Sequence, residues 1–170
     1  MGYNVRAMTL DEVDHIIDYF HCAATEHLEM MGVDPTRLPS RSAWRERYQR
    51  ELTLRPAERS VLMVIWLEGE RRIGFSTADK IIFGEQANMH LHIIEPGGRG
   101  QGAGAECVRR SASFYFETLQ LKRLFSEPNA FNIAPNRTLQ KAGFKYVKTH
   151  MTVPGPLNFH QAVTRWVMEV

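Results

Sequence analysis

The residues best placed to do chemistry lie between Ile93 and Ala105, where Gly97, Gly98, Gly100, Gly102 and Gly104 crowd around Arg99 and Gln101. Glycines at such a junction let the backbone turn sharply. They leave successive N–H groups directed into open space, where unpaired donors and a helix dipole together bind phosphate. Arg99 adds a planar cationic fork. Just upstream, His90 and His92 stand two residues apart, so a strand would turn both to the same side. An imidazole with an ordinary pKa of about 6.5 can accept a proton near neutrality. As a metal site the pair lacks a third ligand, and no metal is expected.

Two elements must hold this stretch. Ala87 to Ile94 is short and apolar apart from the histidines, as a buried or half-buried strand would be. Ala105, Val108, Ala112, Tyr115 and Leu119 recur every three or four residues and mark one face of a helix running to about Thr118. Other nucleotide loops share this strand–glycine–helix plan. Gly100-x-Gly102-x-x-Ala105 satisfies the dinucleotide fingerprint, with Glu127 about twenty residues on, where a ribose-binding acid belongs. Against it, Glu95 to Arg99 intervene between strand and first glycine and include a proline. The triphosphate-binding pattern ending in Gly-Lys-Ser/Thr is absent.

Ile94-x-Pro96-x-x-Arg99-Gly100-x-Gly102-x-Gly104 resembles the coenzyme A pyrophosphate loop of the GCN5-related N-acetyltransferases (GNAT), whose signature is Gln/Arg-x-x-Gly-x-Gly/Ala. Asn132-x-x-Pro135-x-Arg137-Thr138-Leu139-Gln140-Lys141-x-Gly143-Phe144 resembles the helix and strand that follow the cleft in that family. Together the blocks cover Ala87 to Val153. The resemblance implies an α/β (α+β) fold: a GNAT-like mixed, mostly antiparallel twisted sheet of about seven strands, with helices on both faces. It further implies transfer of an acetyl group from acetyl-coenzyme A to a primary amine, with a small molecule or a peptide as acceptor. Dimers are common among proteins of this resemblance, so a homodimer is among the implied partners.

Under that resemblance, Arg99, Gly100, Gln101, Gly102, Ala103 and Gly104 hold the pyrophosphate, and Asn132 matches an asparagine that contacts the pantetheine chain. Asn132 also suits a helix N-cap. Ile93 or Ile94 matches the residue whose backbone N–H faces the oxyanion, at a bulge of the central strand before the loop. The family often places a glutamate base on that strand, and His90 or His92 stands in its place; Glu127 is a further candidate to take the proton or orient the ammonium. The tyrosine that many members use as general acid is replaced by Leu139. With Arg137 two residues earlier, this leucine resembles the branch that acetylates the N-termini of ribosomal proteins. Tyr146, His150 or water would have to supply the proton instead.

The rest of the chain fits one domain. Its 170 residues are 44% apolar and 24% charged, enough for one core. A formal charge of +2, with scattered basic residues, implies neither a nucleic-acid stripe nor a membrane-surface helix. The N-terminus lacks the pattern of a signal peptide, no run is long enough to span a bilayer, and Cys22 and Cys107 look like thiols of a reducing compartment; a cytoplasmic location is expected. Thr9-Leu10-Asp11-Glu12 predicts a capping box, with Met8 and Val13 as its staple. Val13, Ile16, Ile17, Phe20, Ala24 and Met31 predict one helix ending near Gly32. Ser40 or Ser42 caps a second helix that buries Trp44, Tyr48 and Leu52, while Arg45, Glu46, Arg47, Arg50 and Glu51 make a solvated face with internal ion pairs. Strands are expected at Val5–Met8, Val61–Leu67, Arg72–Phe83, Leu121–Ser126, Phe144–Val153 and Val163–Val170. The middle ones form an antiparallel meander, and Leu121–Ser126 runs parallel to Ala87–Ile94.

Overall fold

The computed structural model describes residues 2–94 and 102–170. Seven strands form one sheet: β1 (Tyr3–Ala7), β2 (Leu62–Glu68), β3 (Arg71–Ile82), β4 (Gln86–Ile93), β5 (Arg123–Ser126), β6 (Lys145–Thr152) and β7 (Gln161–Glu169), in the spatial order β1-β2-β3-β4-β5-β7-β6. Only β4 and β5 run parallel. The crossover between them is α4 (Ala103–Leu119), as the connection of two parallel neighbours requires. The mixed, mostly antiparallel sheet expected from the sequence is therefore present.

Alternation along the strands sorts two cores. On one face Leu62, Val64 and Trp66 of β2 and Ala87 and Met89 of β4 pack against Val108, Ala112, Tyr115 and Leu119 of α4 and Leu139 of α5 (Ile133–Ala142). On the other, Met63, Ile65 and Phe75 meet α1 (Val13–His21) and α3 (Arg41–Leu52) through Ile16, Ile17, Phe20, Trp44 and Tyr48. A buried hydrogen bond from Trp66 Nε1 to Ser111 Oγ (2.8 Å) ties β2 to α4.

Two expectations need correction, and one loop adds a contact. The helix predicted from Val13 to Gly32 breaks into α1 and α2 (Thr25–Met30). Ala24 adopts an extended conformation (ψ 148°) and is exposed, and Leu28 takes the buried position instead. The break brings His27 Nε2 to 3.0 Å from Tyr19 Oη. The charged face of α3 is not closed on itself: Arg45 pairs with Asp14 at 2.8 Å and Arg41 with Asp18, both on α1. Glu51 is buried and accepts from Ser60 N at 3.0 Å, where it orders the entry to β2. The loop from Val153 to His160 is more than a hairpin turn. It reaches across to the end of α2, where Asp34 N donates to Leu157 O at 2.8 Å and both Asn158 Nδ2 and Gln161 Nε2 donate to Gly32 O at 2.8 Å.

The capping box forms as expected, around a short 3-10 turn (Leu10–Glu12) that leads into α1. Thr9 N donates to Glu12 Oε1 at 3.0 Å. Met8 and Val13 share one cluster beneath it.

Candidate active site

The sheet opens at its centre. β4 and β5 pair only over Gln86–Asn88 and Arg123–Phe125. Their last tie is Ser126 Oγ donating to Met89 O at 2.7 Å. Beyond it β4 continues to Ile93 beside β3 alone. Ile94 N donates to Ile73 O at 2.9 Å, so that N–H is spent inside the sheet. Alternation then turns the backbone groups of Ile93 and Leu91 the other way, into the gap that β5 has left. Of the two expected oxyanion donors, the geometry leaves Ile93 and removes Ile94. The bulge expected just before the loop is also absent among the described residues: β3–β4 register is continuous from Gly74–Ile93 to Asp79–Asn88 and shifts only between Asp79 and Ile82.

One side of the gap leads to the start of α4. Gly102 is its N-cap residue with φ +76°, a conformation that costs a residue bearing Cβ about 1–2 kcal/mol. Among the described residues no side chain caps this end, so the first-turn N–H groups of Ala103, Gly104 and Ala105 present the positive end of the helix dipole. Gly104 has a different reason to be glycine. A Cβ there would lie 3.3 Å from Thr138 Cγ2, so its absence lets α5 press against α4. Thr138 thus sits against this helix end, and its neighbour Arg137 is exposed. Asn132 is the N-cap residue of α5 but makes no side-chain cap bond. Its carbonyl instead accepts from Asn136 Nδ2 at 2.8 Å. Arg99, Gly100 and Gln101 lie outside the described residues.

The other side of the gap is ionisable. Asn88, His90 and His92 all point to the α1/α3 face, but their surroundings differ. His92 is enclosed by Tyr19, Phe75 and Phe20, with ring centroids at 4.8, 4.9 and 5.3 Å. Burial, with the neighbouring His90 and His27, lowers its pKa to about 3. His90 Nε2 is 3.0 Å from Asp79 Oδ1. Burial opposes its charge, but the Asp79 carboxylate outweighs that and raises the pKa above the ordinary value. The regular register, with Thr77 opposite His90 and Asp79 opposite Asn88, places Asp79 diagonally beside the ring on the same face; the irregularity, with Lys80 at φ +48°, begins only after Asp79. Lys80 Nζ in turn donates to Pro154 O at 2.7 Å, joining the long loop to this corner.

Glu127 directly follows β5, with a side chain only 8% exposed. It accepts from Asn88 Nδ2 at 3.2 Å and stands 3.5 Å from His150 Nε2 and 3.7 Å from Arg165 Nη1. Arg165 lies over the Phe125 ring, 3.9 Å from its centroid. Across α1 and α2, a groove of about 390 Å³ lined by residues including His15, Tyr19, Cys22 and His27 runs up to Ile93 and Ile94.

Sequence reasoning missed Asp79, Asn88 and Arg165. Asp79 carried a faint signal, as the lone acid of β3; Arg165 carried none. Leu139 is fully buried in the α4-side core, so its place offers no proton donor. Tyr146 is 58% exposed and its hydroxyl bonds Thr149 Oγ1 at 3.1 Å.

The acetyltransferase (GNAT) domain family matches residues 4–145, and the chain belongs to it. Among solved structures, the chain is similar to an aminoglycoside acetyltransferase, AAC(6')-Ib, in complex with coenzyme A: TM-score 0.72, 16% identity, covering 99% of this chain and 95% of that one. It is also similar to a ribosomal-protein α-N-acetyltransferase in complex with coenzyme A, with TM-score 0.76, 16% identity and 99% and 94% coverage. A spermidine N-acetyltransferase from Vibrio cholerae, in complex with coenzyme A and spermine, gives TM-score 0.75, 16% identity and 98% and 95% coverage. At equal identity these relatives do not separate one branch from another. No curated protein matches the chain.

Proposed function

We propose that this protein transfers the acetyl group of acetyl-coenzyme A to a primary amine by direct attack. The observation that carries the reading is the gap between β4 and β5, which joins an anion-binding helix end to an Asp–His pair on the opposite side of the sheet. The first-turn N–H groups of α4, with Arg137 beside them, suit the diphosphate of the coenzyme, and the Asn132 amide suits an amide of its pantetheine arm. The backbone groups of Leu91 and Ile93 offer a strand edge to that extended arm. Acetyl-coenzyme A supplies the activated acyl group. His90 takes a proton from the attacking amine, and the Ile93 N–H faces the acyl oxygen as it gains charge. His92, held neutral among aromatic rings, packs beneath this place.

The loss of the usual tyrosine at Leu139 favours a second reading, a protein that binds coenzyme A thioesters without turnover. Two assays decide. Thermal shift with coenzyme A, acetyl-coenzyme A and a nicotinamide dinucleotide, on the wild type and on Gly102→Glu, tests the cradle: coenzyme A should raise the midpoint of the wild type alone. Thiol release from acetyl-coenzyme A with an amine panel tests turnover. A shift given only by the dinucleotide overturns both readings, and a coenzyme A shift without thiol release leaves the second.

A further inference from the structure

Arg165 is more enclosed than a surface arginine and less satisfied than a structural one. Its side chain is 27% exposed and its guanidinium rests on Phe125. Its nearest carboxylate oxygen, on Glu127, is 3.7 Å away, and among the described residues it makes no hydrogen bond. An arginine has five donors in a rigid fork, and leaving them unused in a half-buried place is costly. Stacking on Phe125 holds the fork in one plane, which is the preorganisation a bidentate carboxylate partner needs.

A second unsatisfied group stands beside it. His150 Nδ1 is buried and has no hydrogen-bond partner among the described residues. The register pairs His150 with Val163 and Lys148 with Arg165, so His150 and Arg165 are diagonal neighbours on adjoining strands. Both side chains approach Glu127, the first residue beyond the tie between β4 and β5. The cluster thus holds one carboxylate, bonded by Asn88 Nδ2 at 3.2 Å and approached more loosely by His150 and Arg165, with the unused donors of Arg165 next to it. A purely cationic acceptor would gain Glu127 and be repelled by Arg165. A zwitterion would satisfy both, its ammonium replacing the guanidinium at Glu127 while its carboxylate takes the fork.

Resting on the acetyltransferase reading, we infer that the acceptor is an α-amino acid, with Arg165 binding its carboxylate and Glu127 its ammonium. The ammonium gives one proton to His90, the nitrogen bonds to the acetyl carbon as the C–S bond breaks, and the second proton leaves on the sulfur as the thiol. Asp79 and Lys80 on β3 and Glu127 after β5 are the charged groups facing His90, with His92 next to it on β4.

The test compares matched acceptors in the thiol-release assay: leucine against isopentylamine and leucinamide, and phenylalanine against phenethylamine. Leucine should exceed isopentylamine and leucinamide in kcat/KM by at least about tenfold, the worth of one charge-assisted hydrogen bond. Arg165→Gln should erase that ratio through KM, and Arg165→Lys should keep part of it with an unchanged melting midpoint. Equal or better use of the decarboxylated amines, or a ratio indifferent to both substitutions, overturns the inference. If coenzyme A binds but no amine is acetylated, the acetyltransferase reading fails. The same question then passes to thermal shift of the coenzyme A complex, where a leucine shift that isopentylamine lacks and Arg165→Gln removes supports the amino-acid site. No such shift overturns it.

Discussion

Glu12 is the carboxylate on which the start of α1 depends, and Glu12→Gln has a calculable cost. Its side chain is 3% exposed. Arg6 donates to it through Nη1 at 2.6 Å and Nη2 at 2.9 Å, Thr9 through its backbone N–H at 3.0 Å and its hydroxyl at 3.1 Å, and Arg72 through Nε at 3.4 Å. The Arg6 hydrogen bonds, helped by those of Thr9, outweigh burial and lower the pKa from 4.5 to about 2. That shift corresponds to roughly 3 kcal/mol; because Arg6 is 44% exposed and water screens the pair, about 2 kcal/mol is the expected share. The sign follows from a depressed carboxylate pKa: the stabilisation is complete above the unfolded value near 4.5 and is lost as pH falls toward 2. Urea unfolding at pH 7 should show Glu12→Gln less stable by about 2 kcal/mol, a midpoint about 1 M lower at a typical urea slope of about 2 kcal/mol/M. At pH 2.5 most of the difference should vanish, since the unfolded chain has by then bound the proton that the native carboxylate, with its pKa near 2, still largely resists. An equal gap at both pH values would refute the electrostatic account and leave only packing.

Four further outcomes are expected. Because Asp79 holds a proton on His90 above the ordinary histidine range, kcat/KM should rise with pH through a midpoint above 6.5 as the ring becomes neutral. Asp79→Asn leaves burial opposed only by the charge of Glu127 and should move that midpoint down, which pH–rate profiles and the NMR titration of the His90 ring both read. His90→Ala should cost about 10²–10⁴ in rate, the usual worth of a general base. Ser111→Ala strands the Trp66 indole N–H in the core and should cost about 1–3 kcal/mol by urea unfolding.

The sheet was readable from the sequence because its signals are local. Alternation in Leu62–Glu68, the glycines around Gly102 and the periodic face of α4 each report their own backbone. The gap between β4 and β5 was implied only by resemblance, since nothing in Met89 or Ser126 says that their strands part there. The ionisable basin was half legible. His90 and Glu127 were singled out by position, whereas Asp79 meets His90 only across the β3–β4 register, which neither strand encodes alone, and Arg165 meets Glu127 only because β7 inserts between β5 and β6. The break between α1 and α2 escaped because apolar spacing at Ala24 and Met31 continued the helical phase while the tie between His27 and Tyr19 required the chain to leave it.

The loop that crosses from β6 to the turn after α2 also sets an order of assembly. Gly32 receives its two amide donors from residues 126 and 129 positions later in the chain. At ribosomal rates of about 5–20 residues per second, Gly32 waits on the order of ten seconds for them. During that interval α2, which walls the groove, has short-range contacts but no anchor, while β1 to β4 and α4 are already being laid down. That wall of the groove is therefore latched by the last strand made, and a chain interrupted before Asn158 would hold most of its sheet and lack both donors to Gly32.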